Sequence, residues 1–376
     1  MTRIAHFATA HGCRVEGHYT LSDLALRVTQ SGDPYKQLTL VDCSGSLRVY
    51  VWENSGLLDQ VPCSTPAPIH AALQVRRLHE ETIANLLAIH VLEAHEVANA
   101  AALQSWDACP AAARPALATL VEFVQHLQPD ILRTFLNRVL LDPRIASGLT
   151  TCKGSQQHHH HEPGGLLAHS VEVMEIVGDM TRARLSPLET SITQVAALFH
   201  DLGKLRTIGS GSVRPVHYLL ASHESQTSRL LDPHLEWLRA RAPEIAAGLD
   251  YTLSYLAQPL SGRGHAHFLA GELISAADRM SAALRNHRRL DDLLAKTLPD
   301  GLRRTARLPP VVPPWTNVHA GDGQTRVGGC AQKQWGLIAA AHDVPGSFCQ
   351  PLLDGSAARR EALPAGVKNH VLVEVG

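Results

Sequence analysis

The sequence predicts an α+β, multidomain chain: a small β-barrel, then an all-helical domain, then an extension without assignable structure. Three observations carry this reading. Residues 13–95 read as β-rich, with apolar and polar residues alternating at the period of half-buried strands over 35–42 and 46–52. From about Asn99 the chain changes to Ala- and Leu-rich segments at helical spacing. Beyond Leu308 it becomes rich in Pro and Gly, as in PPVVPPW, GDG and VGG. The expected divisions are 1–98, 99–298 and 299–376, with no internal repeat.

In the first division, residues 35–42 alternate, Asp42-Cys43-Ser44-Gly45 supplies a turn, and 46–52 alternate again, which is a hairpin signal. Leu47, Val49 and Val51 share one face of the second strand, and Arg48, Tyr50 and Trp52 share the other. Tyr35, Gln37 and Thr39 fall on the matching outer face of the first strand. Two further extended runs, 69–77 and 82–93, complete a barrel of about five strands, the size of an OB-fold. An outer face with aromatics and an arginine suits base stacking and phosphate contact. Tyr35, Arg48, Tyr50 and Trp52 are therefore the candidate nucleic-acid-binding residues, with single-stranded nucleic acid as the expected partner. An apolar patch covered by the helical domain is the other reading of the same aromatics.

In the second division, Ala111 to Ala113 between Pro110 and Pro115 reads as a linker or a helix start. Leu117, Leu120, Val121 and Val124 form one apolar stripe, and Leu132, Phe135, Leu136 and Val139 form another, with a break near Pro129. The remainder to about Leu298 also reads as helices. A basic run, with Arg285, Arg288, Arg289 and Lys296 among its members, reads either as a phosphate track or as a solvated helix face.

The 376 residues are 45% hydrophobic and 18% charged, enough for two ordinary cores, and the net charge of -1 gives no global pull toward nucleic acid or membrane. Residues 1–98 hold seven Lys and Arg against ten Asp and Glu, so nucleic-acid binding there must rest on a local patch. Seven scattered cysteines without a C-x-x-C pair argue against a disulfide framework and a zinc ribbon, and fit a reducing cytoplasm. The start MTRIAHFATAHGCRV has no apolar leader core, and no stretch reaches the roughly 18 apolar residues of a membrane span. Neither secretion nor membrane insertion is expected.

Three segments carry chemistry. GLLAHSVEVMEIVGDM (165–180) fits a helix that sets His169 among Leu166, Val173, Ile176 and Val177. In VAALFHDLGKLRT an apolar helix ends in His200-Asp201, followed by Leu202-Gly203-Lys204. FLAGELISAADRMSAAL puts Asp278 in an apolar helix, where burial among Leu273, Ile274, Ala277 and Met280 is costly unless the carboxylate is paired or metal-bound. Two imidazoles and two carboxylates make a mixed nitrogen and oxygen site. Such a site suits a divalent metal, manganese foremost, with iron, nickel or magnesium next, rather than a closed structural zinc.

PGGLLAHS, ALFHDLGK and AAD, in this order, resemble the HD phosphohydrolase superfamily over about residues 155–285. The resemblance implies metal coordination by His169, His200, Asp201 and Asp278, with Lys204 near the substrate phosphate. Asp201 and Lys204 are then the candidate catalytic residues. A barrel before such a domain, with DPYKQLTLVDCSGSLRVYVWE in it, resembles the YhaM-type 3′→5′ exoribonucleases. That likeness implies single-stranded RNA or DNA led by the barrel to a metal centre that cleaves terminal phosphodiesters.

Some HD relatives hold a second metal through extra histidines. His223, in HYLLASHES, stands where the first of these would be. Where the family shows a histidine pair after Leu-Ser, this chain reads Leu253-Ser254-Tyr255-Leu256, and His265 or His267 is the candidate substitute. His159 and His160 either position the ligand helix, contact substrate or sit in a solvated loop. Three other functions stay open: an HD-type relaxase-like protein of a conjugative element, a nucleotide phosphohydrolase, and a non-catalytic nucleic-acid-binding protein.

Overall fold

The computed structural model describes residues 3–156, 160–209, 218 and 220–284. The extension expected from 299, the basic run from Arg285 and the histidines at 158 and 159 lie outside the described residues. Five strands, β1 (Arg14–Val28), β2 (Pro34–Asp42), β3 (Gly45–Trp52), β4 (Ala67–Leu78) and β5 (Glu81–Val91), close into a barrel in the order β1-β2-β3-β5-β4. All pairings are antiparallel except β3 with β5, giving an OB-like barrel. Its interior follows the pleat: Leu38 and Leu40, then Leu47, Val49 and Val51, then Ile69, Ala71, Leu73 and Val75 are all buried.

β1 is the strand that the alternation of the sequence did not single out. A bulge between Leu21 and Asp23 shifts its register against β2, so the inward positions pass from Tyr19 and Leu21 to Leu24. One inserted residue breaks the period of two on which strand recognition depends. At the other end, an N-terminal 3-10 turn (Ile4–Thr9) inserts Phe7 edge-on against Tyr19, with ring centroids 6.2 Å apart.

The tip of the β2–β3 hairpin is tied in two directions. Asp42 Oδ1 accepts hydrogen bonds from the Ser44 and Gly45 backbone N–H groups (2.8 and 3.1 Å), and Oδ2 accepts from Ile4 N–H (2.9 Å). Cys43 N–H donates to Ala102 O and Trp106 N–H to Asp42 O, both at 3.0 Å, so the tip is bonded to the segment that leads into the helices. That segment is buried at Val97 and from Asn99 through Leu103, and Asn137 ties it down by donating to Val97 O (2.6 Å) and accepting from Ala100 N–H (2.9 Å).

The helical part comprises α1 (Arg114–His126), α2 (Asp130–Leu141), α3 (Pro143–Leu149), α4 (Gly165–Thr181), α5 (Pro187–Phe199), α6 (Lys204–Thr207), α7 (His223–Arg239), α8 (Pro243–Ala257) and α9 (Ala270–Leu284). Ala111–Ala113 is a short 3-10 turn leading into α1. Pro129 stands as the cap before α2, and a capping box between Ser186 and Glu189 starts α5. α4 is the central helix, packed against α1, α5 and α9. Leu166, Leu167, Val171, Val173, Met174 and Val177 bury it around most of its circumference, and truncating one such leucine to alanine costs about 2–5 kcal/mol. No described helix is long and apolar enough to cross a membrane.

Candidate metal centre

Four helices and one turn converge beside α4. His169 sits one turn into α4, whose start is fixed by Gly165: a Cβ there would collide with the backbone carbonyl of His160. α5 ends at Phe199, and the turn His200-Asp201-Leu202-Gly203 carries the next two groups before α6 presents Lys204. α7 opens on His223, capped by Ser222, and α9 contributes Asp278. Gly203 draws α7 in. Its N–H donates to Thr227 Oγ1 (2.8 Å), Thr227 Oγ1 donates to His200 O (3.1 Å), and a Cβ on Gly203 would overlap the carbonyl of His223.

Of the six side chains singled out in the sequence, His169, His200, Lys204 and His223 gather around Asp201, and Asp278 joins them through His169. Asp201 Oδ2 lies 3.3 Å from His169 Nε2, 3.4 Å from His200 Nε2 and 2.5 Å from Lys204 Nζ. Its Oδ1 lies 3.2 Å from His223 Nε2, and Asp278 Oδ1 lies 3.2 Å from His169 Nε2. Donor atoms of His169, His200 and Asp201 all fall within 4.8 Å of one another. Asp201 is the carboxylate removed from water, at 3% exposure.

The expected burial of Asp278 is corrected. Its side chain is 46% exposed, Met280 is exposed and Leu273 is only partly covered, so Asp278 is half-buried rather than enclosed, and the hydrogen bond with His169 brings its carboxyl down against the effect of burial. The apolar neighbours in sequence lie on more than one side of α9, and Asp278 stands at the edge of the cleft. Among the described residues neither His265 nor His267 pairs with a carboxylate of the cluster, and His267 N–H instead donates to the Tyr251 hydroxyl. Tyr255 donates its hydroxyl to Glu272.

Electrostatics hold Asp201 as an anion. Burial alone would raise its carboxyl, but His200, His169, His223 and Lys204 keep it well below the usual carboxylate range. Burial lowers His169, yet the Asp201 and Asp278 carboxylates overcome this and bring it up to about 9. Burial pushes His200 down. Its Nδ1–H donates to Ala197 O (2.7 Å), which leaves Nε2 as a lone pair. That Nε2 is buried without a hydrogen-bond donor, 3.4 Å from a carboxylate oxygen. A buried acceptor facing another acceptor is what a cation between them would satisfy, so the donor set fits a divalent metal.

Three contributors, Glu224, Ser281 and Glu172, escaped the sequence reading. Glu224 Oε1 lies 3.3 Å from His223 Nε2. On the far side of His169, Nδ1 lies 3.1 Å from Ser281 Oγ, Ser281 donates to Glu172 Oε2 (2.7 Å), and His160 Nε2 lies 3.1 Å from the same oxygen. The hydrogen bond with His160 holds Glu172 below the ordinary glutamate range. His160 is 2% exposed, which removes the solvated-loop reading for it. The available signal was spacing: Glu172 follows His169 by one helical turn, and Ser281 follows Asp278 likewise.

On the barrel, Tyr35, Tyr50 and Trp52 form one outer cluster. Trp52 lies 5.6 Å from Tyr50 with the rings 12° from parallel, and 5.1 Å from Tyr35. Trp52 is exposed, not covered by the helices, and its Nε1–H donates to Asn85 (3.2 Å). Arg48 pairs with Glu81 at 3.1 Å, with both side chains about half exposed, a contact worth at most about 1 kcal/mol and readily exchanged for a phosphate.

No family model matches the chain, and no curated protein does. Among solved structures it is similar to the second OB-fold domain of replication protein A from Methanococcus maripaludis, at 15% identity over 22% of this chain and 87% of that one, with a TM-score of 0.19.

Proposed function

We propose that the chain is a metal-dependent phosphodiesterase of the HD type, a 3′→5′ exonuclease whose barrel leads single-stranded RNA to the helical cluster. The observation that supports this most is the meeting of His169, His200 and Asp201 around a buried, donor-less His200 Nε2. Manganese is the preferred cation, with His169, His200, Asp201 and Asp278 as its ligands. Bound there, it supplies Lewis acidity toward a phosphoryl oxygen and a water nucleophile at neutral pH. His223, on the other oxygen of Asp201, is the ligand available to a second cation.

The chain's own groups handle the polymer. Lys204, 17% exposed beside Asp201, offers a charge for a substrate phosphate. Tyr35, Tyr50 and Trp52 present ring faces on which any base can stack, as a processive enzyme without sequence preference needs. Polarity and the choice of RNA rest on the resemblance of the sequence to YhaM-type exoribonucleases.

The test is release of mononucleotides from end-labelled single-stranded RNA and DNA with manganese, comparing wild type with Asp201→Ala. Stepwise shortening by wild type alone supports the reading, and the preferred polymer names the substrate. Manganese binding without cleavage of either polymer overturns it and favours a nucleotide phosphohydrolase.

A further inference from the structure

His169 is held from behind by a hydrogen-bonded chain that crosses from α4 to α9. Ser281 has a single hydroxyl proton, and it is directed at Glu172 Oε2, 2.7 Å away. The 3.1 Å contact between Ser281 Oγ and His169 Nδ1 therefore uses a serine lone pair, and Nδ1 must carry the proton. In a neutral imidazole the lone pair then lies on Nε2, the nitrogen that faces Asp201 (3.3 Å) and Asp278 (3.2 Å). His160 Nε2, 3.1 Å from the same Glu172 oxygen, donates to it, because an ionised carboxylate can only accept. Both donors converge on Oε2, which keeps the serine proton from turning back toward His169.

We infer that Ser281 and Glu172, backed by His160, are positioning residues that fix the tautomer and ring orientation of His169 for a divalent cation at Nε2. This rests on the metal-centre reading above. The arrangement is repeated on two helices: His169 and Glu172 are one turn apart on α4, and Asp278 and Ser281 are one turn apart on α9. Ser281, one turn beyond Asp278 on α9, thus supports His169 on α4, and Glu172, one turn beyond His169, anchors Ser281 in turn. Ser281 is 0% exposed and His169 is 2% exposed, so water does not compete for the bond between them, while Glu172 at the end of the chain is partly exposed. Groups that orient a metal-bound histidine in this way typically change metal affinity about 10–100-fold when removed.

The test is Mn²⁺ affinity by calorimetry for wild type, Ser281→Ala and Ser281→Thr, with ring ¹⁵N–¹H spectra of the zinc-loaded, histidine-labelled proteins. The expected result is an affinity about 10–100-fold weaker in Ser281→Ala, with loss of the Nδ1–H signature of His169, and recovery of both in Ser281→Thr. Glu172→Ala, at a partly exposed position, carries the same expectation should Ser281→Ala fail to fold. Wild-type affinity and an unchanged His169 spectrum in the alanine variants would overturn the relay alone. Absence of Mn²⁺ binding by wild type overturns the relay together with the metal centre. Weakened binding in the variants of a protein that cleaves no polymer leaves the relay standing and removes the nuclease reading.

Discussion

Nε2 of His223 lies 3.2 Å from Oδ1 of Asp201, whereas His169 and His200 approach Oδ2. The two oxygens of one carboxylate therefore serve different partners, and the partners can be removed separately. His223→Ala is expected to leave the tightest Mn²⁺ equivalent within about tenfold of wild type, while Asp201→Asn weakens it by more than about 100-fold. Calorimetric titration reads both. Equal losses in the two variants would contradict the division.

Gly203 touches the backbone of His223 with no room for a side chain. Gly203→Ala must push the first turn of α7 outward and break the hydrogen bond to Thr227, at an expected cost of about 1–3 kcal/mol. Urea unfolding measures this, and an unchanged midpoint would mean that α7 shifts freely.

Trp52 stands at the exposed end of the aromatic cluster and supports no core residue. Trp52→Ala is expected to weaken binding of a single-stranded oligonucleotide by about 1–3 kcal/mol at fixed salt, with fold stability lowered by about 1–2 kcal/mol through loss of its ring contacts, leaving the protein folded. Fluorescence anisotropy gives the first and thermal melting the second. Wild-type affinity in this variant would remove the barrel face from the proposal.

Acid should weaken the helical part in two stages. Asp142 caps α3, accepting from the Arg144 backbone (2.8 Å), the Arg144 guanidinium and His234 Nε2 (2.9 Å). Burial alone would raise its carboxyl, but Arg144 and His234 bring it down to about 2, while burial pushes His234 below its usual value despite Asp142. Both groups have depressed folded-state values, so their contributions are complete above the unfolded values and are lost as pH falls. Loss from His234 begins below 6.5, and loss from Asp142 follows between 3.8 and about 2. Asp142→Asn should flatten the lower stage and, after allowing for solvent screening, cost about 1–2 kcal/mol at pH 7. Urea melts across pH 2–8 check the shape; an undiminished lower stage in the variant would assign it elsewhere.

The hairpin β2–β3, its aromatic face and the residues that gather at Asp201 were legible because each shows as a local period or a short motif: alternation for Leu47, Val49 and Val51, and helix ends for His200-Asp201. β1 was not, since its bulge erases the period within a few residues. Asp278 was misjudged as buried because apolar composition says what a helix contains, not which side is covered. Ser281, Glu172 and Glu224 look like ordinary polar positions until the helices are brought face to face, and helix pairing is not written in any single segment.

The junction between barrel and helices has a practical consequence. Residues near 100 would be the natural place to divide the protein into fragments, and proteases usually find such places as loose, wet chain. Here Ala100 and Ala101 are wholly enclosed, and the hairpin tip donates its Cys43 N–H to Ala102. Cys43 and Leu92 of the barrel side belong to the same apolar cluster as Leu117 and Phe135 of the helices. Severing the chain there would strip apolar surface from both fragments at once. The barrel and the helical part should therefore resist limited digestion together, and the aromatic face keeps a set distance from the cluster around Asp201 rather than swinging on a tether.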